Sequence, residues 1–99
     1  MPEPQSRAAQ ILGERLKAVR LERGVSQETV AHLADMHVTN LGKIERGQAN
    51  PRMTTIVRIA GVLDVDPGEL LAGIGLAELP GVDRVNVRDL IEELKRRGK

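Results

Sequence analysis

Helix-breaking residues recur at short intervals along this chain and divide it into pieces before any other feature is considered. Gly24, Asp35, Gly47, Asn50-Pro51 and Asp66-Pro67-Gly68 separate segments whose apolar residues repeat at helical spacing. Leu12, Leu16 and Val19 mark a first helix that stops at Gly24, a residue suited to the left-handed position after a helix. Ser26 is an N-cap candidate for a short second helix over Gln27 to Ala34, with Val30, Ala31, Leu33 and Ala34 as its apolar residues. Asp35 tolerates a tight turn, and Met36, Leu41 and Ile44 then carry a third helix to Gly47. Two helices about three residues apart have the spacing of a helix-turn-helix.

Met53, Ile56, Ile59, Ala60 and Leu63 mark a fourth helix after Asn50-Pro51. Asp66 caps a fifth, with Pro67 in its first position and Glu69 placed to reach back as in a capping box, and Leu70 and Leu71 close the core. The expected fold is all-α: a five-helix domain containing a helix-turn-helix over residues 11–71, preceded by a mobile arm over 1–10. Residues 72–99 form an apolar connection and a C-terminal amphipathic helix. Asn86 caps that last helix, Val85 and Leu90 form its staple, and Val87, Leu90, Ile91 and Leu94 form its apolar stripe. Ile74, Leu76 and Leu79 of the connection join that stripe as residues without a place in a core complete at Leu71. The seven together are read as a dimerisation element, the alternative being that they fold back on their own chain.

Inventory excludes several chemistries. The 99 residues include no Cys and no aromatic side chain. A thiolate nucleophile, a thiolate zinc site and a disulfide framework are therefore ruled out, as are stacking platforms for unpaired bases. His32 and His37 have no clustered third ligand, so no metal and no cofactor is expected. Two serines and two histidines support no catalytic triad, and the lone Gly73-Ile74-Gly75 follows no strand, so no enzyme is expected. No apolar run is long enough to span a membrane and MPEPQSRAAQ lacks the apolar stretch of a signal peptide, which reads as a soluble cytoplasmic protein. The formal net charge is +1, so a polyanion would have to be held by a local arrangement of donors.

Such an arrangement exists on the third helix. A wheel at 100° per residue turns Leu41 and Ile44 inward and leaves Val38, Thr39, Gly42 and Lys43 facing out. A helix fits the major groove of B-DNA, where Lys43 can donate to guanine O6 and N7 while Val38 and the Thr39 methyl pack on thymine methyls. His37 is a further base-contact candidate, equally read as a solvated helix-start residue. Gly42 permits close approach, and Asn40, at the edge of the face, suits a phosphate. Gln27 begins the second helix, where free backbone N–H groups favour a phosphate. Arg46, Arg52 and Lys17 complete the phosphate candidates.

Ser26-Gln27-Glu28, then Ile44-Glu45-Arg46-Gly47 and Asn50-Pro51, resemble the Xre family of Cro and phage-repressor-like regulators, and the resemblance covers about residues 12–71. It implies double-stranded DNA as partner, the third helix as reader and Gln27 as a phosphate contact. It also implies an ion pair between Arg20 and Glu45 that locks the reader against the first helix. The sequence departs from the family pattern at Asp35, where glycine is usual, at Thr29, where glutamate is common, and at Arg52, where a capping serine is frequent. The expected function is sequence-specific transcriptional regulation, as a repressor that binds an inverted repeat as a homodimer. The alternatives are an antitoxin that holds a small protein partner through the C-terminal segment, and a protein-interaction adaptor that has kept the fold without reading DNA.

Overall fold

The computed structural model describes residues 3–80 and 87–98, and every regular element among them is helical. The order is α1 (Arg7–Glu22), α2 (Gln27–Leu33), α3 (Val38–Glu45), α4 (Met53–Leu63), α5 (Pro67–Leu71), a 3-10 turn (Leu76–Glu78) and α6 (Val87–Arg97). α1 packs on α3 and α5, α2 on α3 and α4, and α4 on α5. Leu16, Val30, Leu41, Ile59 and Leu70 are the largest fully buried side chains. Ala31, Ala34 and Ala60 fill the places between them and let the helices cross closely.

Local chemistry sets most of the boundaries. Ser26 Oγ accepts from the Thr29 N–H at 3.1 Å and opens α2. Asp35 adopts φ 55° between α2 and α3, the left-handed turn conformation expected of it, at a cost of about 1 kcal/mol for a residue with a Cβ. Asp64 does the same after α4. Asp66 opens α5 by accepting from the Gly68 N–H at 3.0 Å.

Three expectations need correction. The segment read as an arm over residues 1–10 is helical from Arg7. Ser6 Oγ accepts from the Ala9 N–H at 3.0 Å, Ala9 is buried, and the Gln5 N–H donates to Gly47 O at 2.7 Å. Leu71 does not close the core, for it is 42% exposed while Leu70 is 1% exposed. Ile74 has a place on its own chain: it is half-buried, and with Leu79 it lines a cleft shared with Ala9, Leu12, Ile56 and Leu71. The cap at Asn86, the staple residue Val85 and the Val87 side chain lie outside what is described.

At the junction of α1 with α3 the two backbones approach closely. A Cβ on Gly13 would collide with Ile44 O and stand 2.6 Å from Glu45 O, so only glycine lets α1 meet the backbone at the end of α3. Two turns further along the same face of α1, Arg20 Nε donates to Glu45 Oε2 at 2.7 Å and Nη2 donates to Oε1 at 3.0 Å, a fork-to-fork pair. Arg20 Nη1 also donates to Val25 O at 2.9 Å, which ties the α1–α2 link to the same guanidinium.

Two substitutions test this junction. Gly13→Ala should lower stability by about 3 kcal/mol or more, since a backbone cannot yield as a side chain does; a melting temperature within 2 °C of the parent, on the order of a few tenths of a kcal/mol, would show that Gly13 does not set the spacing. Glu45→Ala should cost about 3 to 5 kcal/mol in urea unfolding by stranding a buried guanidinium, whereas a cost below about 1 kcal/mol would mean that Arg20 finds solvent.

Candidate nucleic-acid interface

One side of α3 is buried: Leu41, Ile44 and the Glu45 carboxylate face α1 and α2. Thr39, Asn40 and Lys43 are exposed on the other side, and Val38 is 39% exposed. His37 is the exposed N-cap residue and makes no side-chain capping bond. Gly42 departs from expectation. It is not open on this face, because the Arg46 guanidinium folds back over it.

Gln27 is held more firmly than a surface residue at a helix start. Its Nε2 donates to Glu45 Oε1 at 3.0 Å, so one carboxylate takes bonds from α1 and α2 while itself ending α3. The Arg20 guanidinium pKa is raised by its hydrogen bond to Glu45 and by the charge of that carboxylate, with burial acting in the opposite direction. Arg20 and Glu45 are 8% and 6% exposed, and their charges cancel beneath the surface. A neutral floor thus underlies Gln27 and the end of α3.

Arg46 and Arg52 are exposed at the two ends of the α3–α4 connection. Lys17 is exposed on α1 between Gly13 and Arg20, at the rim of the side that meets α3. Arg58 was missed by sequence reasoning. It lines a cleft of about 260 Å³ together with Asn40, Lys43, Asp35 and Thr55, and so brings α4 to the edge of the exposed face of α3. A signal was available: between Met36 and Leu63 the only acidic residue is Glu45, against Lys43, Arg46, Arg52 and Arg58. With Glu45 buried and paired, this stretch exposes cations alone, although the whole chain is almost neutral.

Two other arginines serve the fold. Arg15 Nη1 donates to Leu70 O at 3.0 Å and Ala72 O at 2.6 Å, and Arg23 Nε donates to Leu63 O at 2.9 Å. Both are on or at the end of α1 and satisfy carbonyls at the C-terminal ends of α5 and α4, where a cation is electrostatically favoured. Their partners lie 40 to 57 residues away, beyond the reach of local pattern.

Known proteins share this fold. The helix-turn-helix family profile matches residues 16–70. The HTH-type transcriptional regulator DdrOP3 of Deinococcus deserti is 35% identical over 63 residues, which is 64% of this chain and 49% of that protein; this chain therefore spans about half the length of that relative. The restriction-modification controller protein C.AhdI from Aeromonas hydrophila superposes with a TM-score of 0.61 at 39% identity, over 63% of this chain and 94% of that one. The biofilm master regulator SinR, solved in complex with DNA, gives 0.58 at 36% identity over 61% and 97%. The profile spans more than half of the sequence, and on that ground the chain belongs to the Xre-like helix-turn-helix family.

Proposed function

We propose that this chain is a sequence-specific transcriptional regulator of double-stranded DNA, a binding protein and not an enzyme, which works in the cytoplasm as a homodimer on an inverted repeat. One observation carries the reading. α3 has its inner face locked to α1 while its outer face offers Val38, Thr39 and Lys43 inside a border of cationic and amide side chains. The match to SinR, which was solved with DNA, supports the same reading.

In this reading α3 enters the major groove. Lys43 donates to a guanine edge, Val38 and the Thr39 methyl meet thymine methyls, and His37 lies at the groove end of the helix. Gln27, Asn40, Arg46, Arg52 and Lys17 hold phosphates and fix the register. Arg58 adds a cation beside Asn40. The Gln27 amide has two N–H groups, and with one given to Glu45 the other remains for a phosphate oxygen.

Dimerisation is assigned to the C-terminal segment, on narrower grounds than the sequence suggested, because Ile74 and Leu79 already line a cleft of their own chain. Leu90, Ile91 and Leu94 of α6 are 46%, 47% and 58% exposed, and Leu76 of the 3-10 turn is 41% exposed. A two-fold dimer would set two copies of α3 about 34 Å apart, one turn of B-DNA.

Selection of bound sites from random duplexes should return a pseudo-palindrome with that spacing. Against it, Lys43→Ala should cost about 1 to 3 kcal/mol and relax preference at one base pair per half-site, whereas Gln27→Ala should weaken all duplexes alike. Unchanged preference in the Lys43 variant would remove α3 as the reader in this pose. Leu90→Asp combined with Leu94→Asp should give a monomer in sedimentation equilibrium that retains the fold; a dimer that persists would place the interface elsewhere.

A further inference from the structure

Gly42 is a glycine for which the backbone gives no reason. It lies inside α3 and is not among the residues with positive φ, and a glycine within a helix is less favourable than an alanine. Space supplies the reason. A Cβ at this position would stand 3.0 Å from Arg46 Nη1, 3.8 Å from Cζ and 3.9 Å from Nη2. The guanidinium therefore points one terminal nitrogen, Nη1, into the volume that a side chain at position 42 would take. Residues 42 and 46 are one helical turn apart, so their side-chain positions lie one above the other. A second contact fixes the same group: Arg46 Nε donates to Gln48 Oε1 at 3.2 Å. Arg46 nevertheless remains exposed, with its seat next to the exposed Lys43.

We propose that Gly42 is a positioning residue for DNA binding, and that Gly42 and Gln48 together seat the Arg46 guanidinium at the edge of the reading face, ready for a phosphate. The proposal rests on the assignment of α3 to the major groove and deepens it. An unconstrained arginine loses rotamer freedom when it grips a phosphate, and that loss subtracts from affinity. An arginine already seated has lost it in the free protein. The missing side chain at 42 thus weakens the helix and strengthens the contact.

Opposite effects on folding and binding make the test. Gly42→Ala should raise the melting temperature by about 2 to 8 °C, because the alanine favours the helix and the atom in its way is the end of a flexible side chain. The same variant should bind a random-sequence duplex of about 30 base pairs at least about threefold more weakly. Arg46→Ala should weaken that binding about tenfold and make it less salt-dependent. In the Arg46→Ala background, Gly42→Ala should cost nothing further, since there is no guanidinium left to displace.

Gly42→Ala binding as tightly as the parent would overturn the proposal. So would a loss that persists in the Arg46→Ala background, for the new methyl would then be meeting the DNA itself. Full binding by Arg46→Ala would remove Arg46 from the interface and the proposal with it, while the assignment of α3 would still stand or fall on Lys43. If Gly42→Ala melts below the parent, Gln48→Ala, which leaves α3 untouched, carries the same expectation: weaker binding in the parent background and no added loss without Arg46.

Discussion

Glu45 is a carboxylate buried to 6% exposure, and the arrangement of the first three helices follows from the need to satisfy it. An unpaired charge at that depth would cost several kcal/mol, so the fold must deliver a guanidinium, and the one within reach is Arg20 of α1. Bidentate geometry tolerates little error in distance or angle. The pair therefore fixes how α1 crosses the end of α3, and Gly13 makes that crossing sterically possible. Its net contribution to stability is small, since desolvation offsets attraction. Its consequence is orientational: α1, the start of α2 and the end of α3 all attach to one carboxylate, through Arg20, Gln27 and the backbone of Glu45 itself.

That arrangement also explains how an almost neutral chain can present a cationic surface. Pairing Glu45 below the surface removes the single acid between Met36 and Leu63 from the exposed field, and the cations Lys43, Arg46, Arg52 and Arg58 remain. Asp35, just before this stretch, is exposed and shares the cleft with Lys43 and Arg58, while other exposed acids lie further off in sequence, among them Glu14, Glu22 and Glu28 before the stretch and Asp64, Asp66 and Glu69 after it. Net charge and pI average over this segregation and hide it. A partner that is itself a dense line of negative charge responds to the local field, since screening limits interactions to about 8 to 10 Å at physiological salt.

The parts of the fold legible in sequence are those decided within a few residues. The caps at Ser26 and Asp66, proline at the start of α5, the turn at Asp35 and the apolar spacing of α1 to α4 are local choices, and the helices fall where those choices put them. Ser6 is equally local but was hidden by the prolines around it and by the lack of an acid three residues on. Contacts between distant segments were less accessible. The Arg15 and Arg23 side chains satisfy carbonyls on helices that sequence spacing cannot place next to α1, and the clash awaiting any side chain at Gly13 depends on the crossing angle. For the candidate interface, helical periodicity correctly identified which residues of α3 face outward except at Gly42. There the wheel gives direction but not the neighbour that folds back over it. Arg58 escapes the apolar spacing of α4, which marks only the core face of that helix.

The anchoring of α3 is uneven along its length, and this bears on how such a helix can read a sequence. Its C-terminal end is held by the Gly13 contact, by the Glu45 carboxylate and by Arg46 lying over Gly42, while its N-terminal cap residue His37 makes no side-chain bond to the first turn. Of the residues proposed to meet base edges, Val38 and Thr39 sit at the end without a side-chain cap, and Lys43 sits at the end held to α1. In the proposed complex, the anchored C-terminal end would set the angle at which the helix meets DNA, and the first turn would set which groups the two short side chains touch. Discrimination at thymine positions would then depend on the contact distances of these short side chains, whereas the longer Lys43 side chain could take up differences through its own rotamers.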